Sequence, residues 1–151
     1  MKKFTAIVAS VLILLSSSLA LAMGKEDSVG VVKSVAGEVF ISSSANPIVV
    51  KAYPNMKIGQ GDVITTAAKS SAGLIFDDDT VVSLGSNSEF AIDSFKFNPV
   101  KKDLSFVARL LQGTYSLITG QIAKLAPKKV RIITPDATLG VRGTKLLIRV
   151  D

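Results

Sequence analysis

"AGLIFDDDTVVSL", residues 72–84, decides the fold class of this chain. Leu74 and Phe76 fall on one face, and Val82 and Leu84 do so again beyond Asp77-Asp78-Asp79-Thr80. A two-residue period is that of a half-buried strand, and a short polar break between two such runs is that of a β-hairpin. Consecutive strand residues point to opposite faces, so the three aspartates do not present their carboxylates together. A solvated hairpin tip is expected there. No metal is expected, since calcium-loop spacing is absent.

The same period recurs outward along the chain. Val31-Lys33-Val35, Val39-Ile41, Val63–Thr66, Phe90-Ile92, Phe95-Phe97, Val130-Ile132 and Leu146-Ile148-Val150 read as strands, and Ile48–Val50 as a short apolar run. Tyr53-Pro54-Asn55 and Gly59–Asp62 are turn chemistry. Leu104-Phe106-Ala108-Leu110 also alternates; Phe106, Leu110 and Leu111 have helical spacing as well, and Gly113 is expected to limit that element. Gly120–Pro127 suits one short helical turn. Gly30 and Gly37, like Gly113 and Gly120, are seven apart, which suggests a distant two-fold repeat. Short strands, frequent turns and no long helical pattern predict an all-β fold: one β-sandwich or barrel-like domain over 29–151, after a loose start at 23–28.

Residues 1–22 read as a cleaved secretory signal peptide. Lys2 and Lys3 precede an apolar run from Phe4 to Leu15, and Ala20-Leu21-Ala22 fits a small-x-small cleavage site. The run is shorter than the roughly 20 residues that span a bilayer. Export to the periplasm follows, or to the extracellular space, with no membrane embedding after cleavage. Zero cysteines mean that the exported domain relies on apolar packing rather than disulfides.

Charge divides the chain. Residues 23–100 carry six basic and nine acidic side chains, and residues 101–151 carry ten and three. Either the two parts neutralise each other in the fold, or the C-terminal part meets an anionic partner. Zero histidines and zero cysteines remove the Ser-His-Asp and Cys-His nucleophile systems and most zinc sites. Neither an enzyme nor a cofactor is expected. Nucleic acid is not an expected partner, because no basic stripe is interleaved with aromatics. With no Trp, and only Tyr53 and Tyr115 as tyrosines, nothing supports sugar stacking.

Two short motifs hold the candidate site residues. Gly61-Asp62 reads as a turn whose aspartate hydrogen-bonds nearby backbone. In Gly140-Val141-Arg142-Gly143-Thr144, followed by Lys145, the glycines permit positive φ or a close backbone approach. Arg142 then has two roles open to it. It folds inward as a fork onto a carboxylate, with Asp62 and Asp136 as candidate partners, or onto loop carbonyls, or it joins Lys145 and the backbone N–H groups in an anion site. The inward fork is the expectation adopted. In the last strand Leu146, Ile148 and Val150 are expected to face the core. Lys145, Leu147 and Arg149 face out, so the strand has the means to accept a partner strand if it lies at an edge.

"GVVKSVAGEV", "IGQGDVITT", "AGLIFDDDTVVSLGSNSEFAI", "GTYSLITGQIAKLAPKKVRIITP" and "ATLGVRGTKLLI" together resemble, in order, FecR-type domains over about residues 29–150. One piece departs. The family usually has Asp-Gly at the hairpin turn, whereas Asp79 follows Asp78 here, so another turn type is expected. In the regulators that name the family, this domain senses an outer-membrane receptor from the periplasm, and a transmembrane helix and cytoplasmic tail act on a sigma factor. The chain is expected to lack both. The resemblance implies a stand-alone periplasmic sensing or protein-binding module whose partner is another envelope protein. The alternative is a binder of an anionic envelope polymer or small anion through the basic C-terminal third.

Overall fold

The computed structural model describes residues 27–143 and 145–151. The expected signal peptide lies outside the described residues. The strands are β1 (Ser28–Ala36), β2 (Val39–Ser43), β3 (Val50–Lys51), β4 (Lys57–Gly59), β5 (Asp62–Thr66), β6 (Ser71–Phe76), β7 (Val81–Leu84), β8 (Glu89–Asn98), β9 (Asp103–Ile118), β10 (Val130–Ile133), β11 (Thr138–Gly140) and β12 (Lys145–Val150). A short helix, α1 (Gln121–Leu125), and one 3-10 turn (Pro127–Lys129) sit between β9 and β10. The fold is all-β. β1 opens at Ser28, inside the expected loose start.

β9 joins two layers. Its first half pairs antiparallel with β8 and parallel with β10, and its second half pairs antiparallel with β7 and β12. One layer therefore runs β12-β9-β7-β6-β1-β4 and the other β3-β2-β5-β8-β9-β10-β11. The pairing of β10 with β9 needs a crossover, because parallel strands cannot be joined by a tight turn. Residues 119–129, with α1, supply it.

Gly113 lets one strand serve both layers. Leu104, Phe106, Ala108 and Leu110 point inward at even positions, whereas Tyr115 and Leu117 do so at odd ones. An extra residue must intervene to shift the phase, which is what a bulge does. Gly113 has φ +109, and a Cβ there would lie 2.0 Å from the Ser88 hydroxyl oxygen and 2.5 Å from its Cα. Gly113 was expected to end the element; instead it bends a strand that continues. Nearby, the Tyr115 hydroxyl sits among the Glu89 N–H and the Glu89 and Gln112 carbonyls, which clamps the bend. Burial raises the pKa of that phenol.

The layers meet on aromatic rings. Phe76 of β6 has its ring centroid 5.1 Å from Phe106, 5.5 Å from Phe95 and 6.3 Å from Phe90, all three in the opposite layer. Full burial of such a side chain contributes about 2–3 kcal/mol of transfer free energy. The core cluster extends from Val29 to Val150, and Ile122 of α1 closes one side. Ile48, Val49 and Val50, an apolar run, are exposed, and only Val50 enters a strand. The seven-residue glycine spacings do not repeat in the structure: Gly37 has positive φ and leads into β2, whereas Gly120 leads into α1.

Candidate functional site

The Gly61-Asp62 turn is tied from several sides. Gly61 has φ +87, which favours glycine. Its N–H donates to the Ile92 carbonyl at 2.8 Å, and its own carbonyl accepts the Ser44 N–H at 2.8 Å and hydroxyl at 2.7 Å. Asp62 is buried, and its carboxylate accepts the Gly59 N–H at 2.8 Å. The aspartate closes the turn between β4 and β5.

The expected solvated tip holds for Asp77 and Asp79, which are exposed, and fails for Asp78. The Asp79 N–H donates to the Phe76 carbonyl at 3.0 Å and the Phe76 N–H to the Thr80 carbonyl at 2.9 Å. Asp79 itself takes φ +69, the left-handed position that glycine would fill more comfortably. Asp78 thereby turns inward and is only 1% exposed. Its carboxylate accepts the Thr80 N–H at 3.1 Å, the Thr80 hydroxyl at 2.9 Å and the Ile122 N–H at 3.2 Å. Its carbonyl accepts the Gln121 N–H at 2.7 Å. Asp78 thus caps α1 from another element, supplying acceptors that a helix N-terminus lacks. The Thr80 hydroxyl oxygen also accepts the Gly120 N–H at 3.1 Å. A Cβ on Gly120 would lie 2.1 Å from the Asp78 carbonyl oxygen, so glycine is required by contact. Asp77 remains outside, where desolvation and then the Asp78 charge raise its pKa.

The structure overturns the inward fork at Arg142. Gly140 lies in β11 opposite Arg131, and neither Gly140 nor Gly143 has positive φ or any atom within 4 Å of an added Cβ. Val141 is buried, while Arg142 is exposed and has no ion pair among the described residues. The Gly143 carbonyl accepts the Thr119 hydroxyl. With one neighbour sunk in the core and the other tied to Thr119, Arg142 is displayed rather than folded in. Thr144 lies outside the described residues. Lys145 is the exposed first residue of β12, opposite Ile118. Gly61 and Asp62 belong to a different turn from the Gly140–Lys145 group.

Clefts among the described residues lie beside these elements, three of which bear on charge. One, of about 800 Å3, is lined by Asp77, Ser28, Gln60, Phe95 and Lys96 among others. A second, of about 420 Å3, is lined by Ser94, Ser105, Lys96, Lys128, Lys129 and Arg131, with Asp103 as its one acid. A third, of about 400 Å3, lies between Pro127, Lys128, Gly140, Val141 and Arg142. Lys128 lines both basic clefts. Sequence reasoning placed basic charge in the C-terminal third but missed Lys96, Lys129 and Arg131 individually. The signal was present, since Lys129 and Arg131 are two apart entering a strand, as side chains on one face are. Among the described residues, no group of three or more His, Cys, Asp or Glu side chains is placed to hold a metal ion.

β12 pairs with β9 alone among the described strands, so its other edge is open. Leu147, facing outward between Lys145 and Arg149, is 78% exposed.

A family model described as "FecR protein" matches residues 62–151. No curated protein matches the chain, and no solved structure does.

Proposed function

Since this chain belongs to the FecR family, we propose that it is a non-catalytic sensing module of the periplasm that binds an extended segment of another envelope protein along β12. FecR domains serve sensing and regulation rather than catalysis, which supports the class of function. The absence of histidine and cysteine from the sequence supports a binding role over nucleophilic catalysis. The secretory pattern at residues 1–22 supports the compartment. Among the described residues, no helix is long and apolar enough to cross a membrane.

The open edge of β12 carries the binding surface. An edge strand presents unpaired N–H and C=O groups, and a partner strand satisfies them while side-chain pockets set specificity. Leu147 is the apolar anchor on the outer face; Lys145 and Arg149 discourage indiscriminate pairing, and Lys145 favours an acidic segment, since Arg149 already donates to Asp151 at 2.9 Å. Affinity capture from periplasm with the mature domain tests this. The expected result is a protein retained in high salt by the wild type and lost with Leu147→Lys. Retention of the same protein by Leu147→Lys, or capture of nothing, contradicts the proposal.

A further inference from the structure

We infer that the outer face of the β8-β9-β10 layer, continued to Arg142, is a binding groove for a linear polyanion carrying repeated phosphate or carboxylate groups. This groove is independent of the β12 edge, so either proposal stands if the other fails.

Strand register builds the groove. Lys96 of β8 pairs with Ser105 of β9, and Ser94 pairs with Val107. In the parallel pairing beyond, Arg131 of β10 lies beside Val107, and Lys129 precedes Val130, the partner of Phe106. Residues 105, 107, 129 and 131 alternate with the buried Leu104, Phe106, Ala108, Val130 and Ile132, so they share the solvent face. Lys96 and Lys129 are two strand spacings apart, about 10 Å, and Lys129, the last residue of the 3-10 turn, leads by two residues into Arg131 of β10. The Ser94 and Ser105 hydroxyls, 2.9 Å apart, lie between the cations.

The charges are available for a ligand. Among the described residues Lys128, Lys129 and Arg131 have no ion pair. Lys96 approaches Asp103 only at 4.0 Å, with both side chains exposed. The next row is neutralised, because Arg109 donates to both Asp93 oxygens at 3.0 and 2.7 Å. The groove therefore has a limit on that side. On the other side it runs on past Lys128 into the cleft of Arg142. Gly140, opposite Arg131, leaves that passage unobstructed.

These features select the ligand class. The cations line two clefts that share Lys128, from Lys96 through Lys129 and Arg131 to Arg142, so several anionic groups on one chain engage more of them together than one small anion does. No aromatic side chain lines either basic cleft, so stacking on a sugar or base contributes nothing and charge dominates. The basic C-terminal third thereby acquires a defined surface, and Arg142 a place at its end.

Binding of the mature domain to inorganic polyphosphate and to polygalacturonate, with orthophosphate as control, tests the groove by calorimetry. At least one polymer is expected to bind, more weakly as salt rises, with orthophosphate far weaker. Lys129→Ala/Arg131→Ala should weaken that binding about tenfold at an unchanged melting temperature. Lys33→Ala/Lys57→Ala, which removes equal charge from β1 and β4 in the other layer, should leave it unaltered. The preferred polymer identifies phosphate or carboxylate as the recognised group. Failure of both polymers to bind, equal loss in the two double variants, or full binding by Lys129→Ala/Arg131→Ala overturns the proposal.

Discussion

Asp78→Ala should be among the most damaging single changes outside the aromatic core. The carboxylate is buried and accepts from the Thr80 N–H, the Thr80 hydroxyl and the Ile122 N–H. Truncation leaves two backbone donors without an acceptor; the hydroxyl has the freedom to rotate to another. A buried donor left unsatisfied costs about 1–3 kcal/mol, so the expected loss for two is about 2–6 kcal/mol. For a domain of this size each kcal/mol lowers the melting temperature by about 4 °C, which gives a fall of about 8–24 °C. Asp78→Asn should fall between, because one acceptor oxygen remains while the amide turns donors toward donors. Asp79→Gly is the matched control. It relieves a residue at φ +69 and sacrifices only an exposed bond to Gln121, so it should be neutral or stabilising by up to about 1 kcal/mol. Thermal and urea melts followed by circular dichroism read all three. A melting temperature for Asp78→Ala within about 2 °C of wild type would show that α1 does not depend on this cap, and the reasoning would be wrong.

Gly113→Ala should destabilise the domain by about 2–4 kcal/mol, because φ +109 and the Ser88 atoms both oppose a side chain; urea melts measure it. Arg142→Lys and Arg142→Ala should leave the melting temperature within the range of ordinary surface changes, about 0.5 kcal/mol, and a shared large drop would restore the inward fork. Asp77 has a folded pKa above its ordinary 3.8. The folded state then binds this proton more tightly than the unfolded state, so the contribution to stability is present below the ordinary value and is lost as pH rises through the folded one. Asp77→Asn should therefore melt higher than wild type at neutral pH, and the difference should vanish well below pH 3.8 in a pH series of melts.

The strands were legible because their apolar residues alternate. Leu74 and Phe76 against Val82 and Leu84 gave the hairpin directly, and the observed register pairs Leu74 with Val82. The two-layer role of β9 was not read, although its signal exists: the buried positions change from even to odd across Gly113. Asp78 was misplaced because three adjacent aspartates look alike in sequence. What distinguishes Asp78 is the positive φ at Asp79, which turns it toward Gly120, about forty residues on, and no local pattern reports such a contact. Arg142 was misread for a related reason. Glycines on both sides suggested tight packing, yet the neighbours that fix its direction are the buried Val141 and the distant Thr119. The basic groove depends on the parallel pairing of β10 with β9, a long-range register that charge counts along the chain do not contain.

The most direct measurement is site-specific photo-crosslinking in intact cells from position 147 on β12. Position 100 serves as the control, since Val100 is 94% exposed but lies in the β8–β9 turn away from that edge. A discrete adduct with one envelope protein from position 147, and none from position 100, is the predicted result. No adduct from 147, or the same adducts from both positions, would contradict a partner-binding edge at β12.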